Sequence, residues 1–167
     1  MDKLSTFNER YLDFKSLEQS IAMMMDEDSF MALLGEPLDA LIVDSLMIIA
    51  QAIDQHAQIL CDAGAEPEYH NRQHAYEVIT AMRMLIEQED QADMNHSWPS
   101  LSWPSFTSKE RGLMLIAALS HDYLHPGGIN HSPFELEIKS AIGVEKLLQE
   151  QGVDNEDIFF KLPPSLR

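Results

Sequence analysis

The sequence predicts an all-α fold, and three observations carry that reading. Apolar residues recur at steps of three and four over long stretches, the period of one helix face. Met is plentiful at 10 residues while Gly and Pro number 7 and 8, a composition that suits helices better than a sandwich or barrel. No clear β pattern appears. With 167 residues, 45% of them hydrophobic, the chain is long enough for one domain with its own core.

The elements follow in order. Residues 4–25 mix polar and apolar positions as a helix does, and Met23, Met24 and Met25 are adaptable core material. Gly35-Glu36-Pro37 punctuates, with Pro37 suited to a first helical turn. Leu38, Leu41, Ile42, Leu46, Ile49 and Ile53 then predict a long buried helix over 37–61. Asn71 is a candidate N-cap. After it Ala75, Val78, Ile79, Met82, Leu85 and Ile86 mark an amphipathic helix, on whose inner side His74 falls. Residues 87–106 read as a connector carrying Ser-Trp-Pro-Ser twice. Thr107 and Glu110 match a capping box, and Leu113–Leu119 is apolar all round, so this helix is central. It delivers His121 and Asp122 at its C-terminal end. Ser132, Pro133 and Glu135 signal another start, with Gly152 as the stop, and 154–162 reads as one short helix. Residues 1–36 are expected to form an N-terminal helical segment and 37–167 the main domain.

Charge and cysteine content narrow the function. Formal net charge is −17, which repels nucleic-acid backbones and anionic lipid, so neither partner is expected. An anionic substrate would need a bound cation to reverse the local field. Cys61 is the single cysteine, so no internal disulfide forms. The N-terminus has no apolar signal core, and the longest strictly apolar run, Leu113–Leu119, is far short of a membrane span. A cytoplasmic location is expected.

Six of the seven histidines fall between residues 70 and 131, most in two stretches, 69–75 and 121–127. Imidazole and carboxylate together are ligands for a divalent transition metal, and the same groups move protons near neutral pH. His74 alone is an ordinary histidine beside an apolar stripe, and His121-Asp122 alone is a chance dipeptide. An inward His with a His-Asp pair at the end of a buried helix can meet at one ion. That ion would offset the cost of burying an ionised Asp. His125 can orient a water near such an ion or hold its own turn together. His56, His96 and His131 read as structural or solvated.

Tyr69-His70-Asn71-Arg72-Gln73-His74-Ala75-Tyr76-Glu77-Val78 and Leu119-Ser120-His121-Asp122-Tyr123-Leu124-His125-Pro126-Gly127-Gly128-Ile129-Asn130 together resemble the HD-domain cyclic nucleotide phosphodiesterases. Glu77 stands where the family's first motif usually has Asp. The resemblance covers roughly residues 37–160, the first part of the family's catalytic domain, and implies an HD-domain-like helical bundle. It implies two divalent ions, Zn with Mg or Mn, held by His74, His121 and Asp122, with Asp122 between them. It implies His70 as the general acid toward the leaving 3′ oxygen and His125 close to the second ion. The implied reaction is hydrolysis of a 3′,5′-cyclic nucleotide to the 5′-monophosphate, a step in signal transduction.

The family also has a later metal-ligating Asp and a glutamine and aromatic clamp for the base, beyond the equivalent of Leu162. Weak metal retention, negligible turnover and self-association through exposed apolar faces are therefore expected. Three readings follow: a phosphodiester hydrolase, a truncated or non-catalytic metal-binding HD module with a regulatory role, and a plain helical bundle with structural histidines. Metal content separates the last from the others, and turnover separates the first two.

Overall fold

The computed structural model describes residues 16–26, 40–65, 71–94, 106–125 and 130–153. Within them the backbone forms five helices and no strand: α1 Leu17–Met25, α2 Ala40–Asp62, α3 Arg72–Met94, α4 Ser108–Ser120 and α5 Glu135–Glu150. The all-α expectation is met. The expected Ser-Trp-Pro-Ser loop, the helix at 154–162 and residues 4–15 lie outside the described residues, as do His70 and His96.

α4 occupies the centre because its sequence is apolar on every side. It packs against α2, α3 and α5, and α1 closes the bundle on α2 and α3. Leu17, Ile21, Leu46, Ile49, Ile79, Ile86, Leu115, Leu119, Val144 and Leu148 meet in one core, each at 1% exposure or less. Burying an aliphatic side chain of this size contributes about 1.5–3 kcal/mol. Gly112 lets α2 and α4 approach closely, since a Cβ there would collide with the Ile42 side chain.

Each helix start has a local cause. Thr107 Oγ1 accepts the Glu110 N–H at 3.3 Å, and Glu110 Oε2 accepts the Thr107 N–H at 2.8 Å, so the expected capping box forms. Those Thr107 hydrogen bonds hold the Glu110 carboxyl below its ordinary range. α1 takes its cap from another helix as well. Asp54 of α2 accepts the Leu17 and Glu18 N–H groups at 3.0 and 2.8 Å and the Ser16 hydroxyl at 2.7 Å.

Two boundaries differ from the sequence reading. α3 continues to Met94, past residue 87 where a connector was expected. Residues 87–94 contain neither Gly nor Pro and include several good helix formers, and Arg83 pairs with Glu87 at 2.7 Å across the junction. Polarity in that stretch is as compatible with a helix as with a loop. α5 starts at Glu135, not Pro133. Phe134 adopts the left-handed region at φ 60°, which breaks the chain direction just before the helix. Asn130 Oδ1 caps instead, accepting the Leu136 N–H at 2.7 Å, while Ser132 offers only its carbonyl, to the Glu135 N–H. Gly152 closes the far end at φ 79°, as expected.

Candidate metal centre

α3 and α4 lie side by side, and the site forms where the start of one meets the end of the other. Asn71 fixes the start. Its Oδ1 accepts the His74 N–H at 3.0 Å and its carbonyl accepts the Ala75 N–H at 3.1 Å. Ala75 and Ile79 are buried, so His74, on the same side, turns inward.

α4 ends at Ser120, and the backbone tightens into successive turns. The Tyr123 N–H reaches the Ser120 carbonyl and the His125 N–H the Asp122 carbonyl, at 3.0 and 2.9 Å. Leu124 takes φ 59°, in the left-handed region. This departure from α-helical geometry lets two adjacent side chains, His121 and Asp122, face one point, which an ideal helix does not. Burial lifts the Tyr123 hydroxyl above its ordinary pKa, with a smaller contribution from the Glu150 charge.

The three side chains converge. Asp122 Oδ2 lies 3.2 Å from His74 Nε2 and 3.0 Å from His121 Nε2. One nitrogen or oxygen from each of the three lies within 4.8 Å of the others. The rings meet edge to face, with centroids 5.3 Å apart. His121 Nδ1 stands 2.8 Å from the Ala118 carbonyl. A carbonyl only accepts, so this contact assigns the proton to Nδ1 and leaves the Nε2 lone pair aimed at Asp122. A lone pair and a carboxylate oxygen at 3.0 Å need a proton or a cation between them. Two imidazole nitrogens and one carboxylate oxygen are a donor set that fits a divalent ion. Among the described residues no further His, Cys, Asp or Glu joins this group.

His125 does not join it either. It lines a cavity of about 40 Å³ beside Asp122, with His56 of α2 and with Asn71 and Arg72 at the start of α3. His56 read as structural or solvated from the sequence. It follows Leu46, Ile49 and Ile53 at helical spacing, and that continuation of the inner stripe was the signal for its position.

No curated protein and no solved structure matches the chain. Residues 69–145 match the family model of the 3′5′-cyclic nucleotide phosphodiesterases. The matched segment runs from the residue before His70 through α3, α4 and most of α5, so it contains every group that converges at Asp122. Over residues 69–145 this chain is similar to the 3′5′-cyclic nucleotide phosphodiesterase family, and the match covers part of the family's domain.

Proposed function

We propose that the chain is a metal-dependent phosphodiester hydrolase that opens a 3′,5′-cyclic nucleotide to its 5′-monophosphate. The observation that carries this is the convergence of His74, His121 and Asp122 on one point inside the matched segment. His74 and His121 would hold the first ion through Nε2, and Asp122 would reach that ion and a second one. When bound, such a pair lowers the pKa of water and offsets charge on the phosphoryl oxygens. His70, four residues before His74, protonates the leaving 3′ oxygen as general acid. His125 orients water beside Asp122. A bound cation also answers the net charge of −17, which would otherwise repel a cyclic phosphate.

The reading places the reaction in the cytoplasm, and a single exposed thiol at Cys61 fits a reducing compartment. No helix among the described residues is long and apolar enough to cross a membrane. Self-association belongs to the same reading, since Phe134 and Ile142 stand exposed near the start and middle of α5. Residues 37–167 would form the catalytic portion, and α1 contributes Leu17 and Ile21 to the same core.

A metal-binding HD module without turnover is the second reading, favoured by the count of three ligands among the described residues. The purified chain, loaded with zinc and with magnesium or manganese, is incubated with 3′,5′-cyclic AMP and 3′,5′-cyclic GMP, and 5′-monophosphate is quantified by chromatography. Metal-dependent product that disappears in His74→Ala supports the hydrolase. Stoichiometric metal with no product supports the second reading, and absence of bound metal sinks both.

A further inference from the structure

Gly143 stands in the middle of α5, where glycine weakens a helix relative to alanine. Its backbone gives no reason for it. Among the described residues the positive-φ glycines are Gly64 and Gly152, whereas Gly143 lies within the helix. The reason is space. A Cβ at residue 143 would stand 3.3 and 3.4 Å from Cδ1 and Cε1 of the Tyr123 ring, and 3.9 Å from Cδ1 of Leu124. Carbon atoms pack best at about 3.5–4.0 Å. The bare backbone is therefore a seat that the ring fills, and a methyl group there would press the ring back by a few tenths of an ångström.

What occupies that seat is the turn after α4. Tyr123 and Leu124 follow the His121-Asp122 pair directly. Leu124 holds φ 59°, a left-handed conformation that is costly for a residue with a side chain and persists only where its surroundings impose it. Those surroundings come from two sides. α5 meets both side chains at Gly143, and Ile53, Ala57 and Leu60 of α2 share the cavity that Tyr123 and Leu124 line. α5 is a firm support here, since Val144, next to Gly143, and Leu148 are fully buried.

We propose that Gly143 is a positioning residue of the metal centre: its bare backbone seats Tyr123 and Leu124, and through them holds the turn that aims His121 and Asp122 at His74. The inference rests on the metal-centre reading. Asp122 is bonded to Tyr123 through one peptide, so a displaced ring moves the carboxylate through the backbone. Zinc bonds to nitrogen and oxygen at about 2.0–2.2 Å, and a site keeps its geometry within about 0.2 Å. A shift of a few tenths of an ångström at the ring is on that scale. Groups that orient metal ligands from outside the coordination sphere typically change metal affinity about 10–100-fold when altered.

The test is a zinc titration of the full chain against a chromophoric chelator, repeated with cobalt to record the visible spectrum. Gly143→Ala is expected to weaken zinc binding about 10-fold and to shift the cobalt bands. Circular dichroism and urea unfolding of the metal-free protein are recorded alongside. Alanine is the better helix former, so lost zinc affinity in a chain that stays folded separates positioning from stability. Tyr123→Leu empties the seat and is expected to weaken zinc binding likewise, which keeps the inference testable should Gly143→Ala unfold the protein. Tyr123→Phe keeps the ring and is expected to bind zinc as the wild type does. Wild-type zinc affinity and cobalt bands in Gly143→Ala or in Tyr123→Leu overturn the inference, as does a Tyr123→Phe variant no better than Tyr123→Leu. Should His74→Ala abolish binding while the Gly143 and Tyr123 variants bind normally, only this inference falls. A wild-type chain that binds no zinc removes the metal-centre reading and the inference with it.

Discussion

Asp122 Oδ2 serves two imidazoles at once, and that atom decides what the site can be. With the His121 proton held on Nδ1 by the Ala118 carbonyl, the inward faces of the three groups are electron-rich. Such a cluster is stable around a cation, or around a shared proton in its absence. The roles of the histidines then separate by position. His74 lies inside α3, whereas His70 precedes it and lies outside the described residues. His70→Ala is expected to leave zinc content nearly unchanged while lowering any hydrolytic rate about 10²–10⁴-fold, the usual loss for a general acid. His74→Ala is expected to lose the metal itself. Elemental analysis beside a rate assay checks both, and equal metal loss in the two variants would show that the division is wrong.

The helices hold this point in place through their ends. α3 presents His74 in its first turn and α4 presents His121 and Asp122 just past its last, so their relative setting fixes the site. Asp54 ties the surrounding helices together. It caps α1 through the Leu17 and Glu18 N–H groups and approaches the Arg72 guanidinium at 4.0 Å, two residues before His74. Hydrogen bonds to a charged partner contribute about 1.5–3 kcal/mol each where removal strands a part-buried group. Asp54→Ala is therefore expected to destabilise the fold by about 2–3 kcal/mol, since water recovers some of what is lost. Urea unfolding measures this. A change below about 0.5 kcal/mol, the range of an ordinary surface substitution, would mean that α1 docks by apolar contact alone.

Across the whole chain, 28 acidic residues against 11 Lys and Arg set the electrostatic background. Two carboxyls depart from it in a way that links stability to pH. Glu110 is held low by Thr107, and Glu135 by Lys139 first and the His131 backbone second. A folded-state pKa below the ordinary 4.5 means that the unfolded chain takes up the proton first. The contribution is fully present above that value and fades as pH falls through the lowered one. The effect is small because both groups are solvent-exposed. Glu110→Gln is expected to be less stable than the wild type at pH 7, with the gap closing below pH 4.5. Denaturant midpoints of the two proteins between pH 7 and 3 test this. A gap that stays constant over that range would show that the capping bond does not depend on the charge.

The helical period, the capping box at Thr107 and the two histidine stretches were legible because each is a local pattern. Local steric and hydrogen-bonding rules act within a few residues, so they leave a mark within a few residues. The inward turn of His74 followed from its neighbours Ala75, Val78 and Ile79 for the same reason. What lay beyond the sequence depends on residues far apart along it. Nothing near Asp54 shows that it caps a helix 37 residues earlier. Nothing around His56 shows that it shares a cavity with Asp122 and His125. The left-handed turn at Phe134, which moved the start of α5, is an unfavourable local choice that only the surrounding fold imposes. The sequence by itself determined which chemical groups are present and which helices carry them. The distances between those groups arose from packing α2, α3 and α4 around one core, because side chains distant in the chain meet only when their helices do.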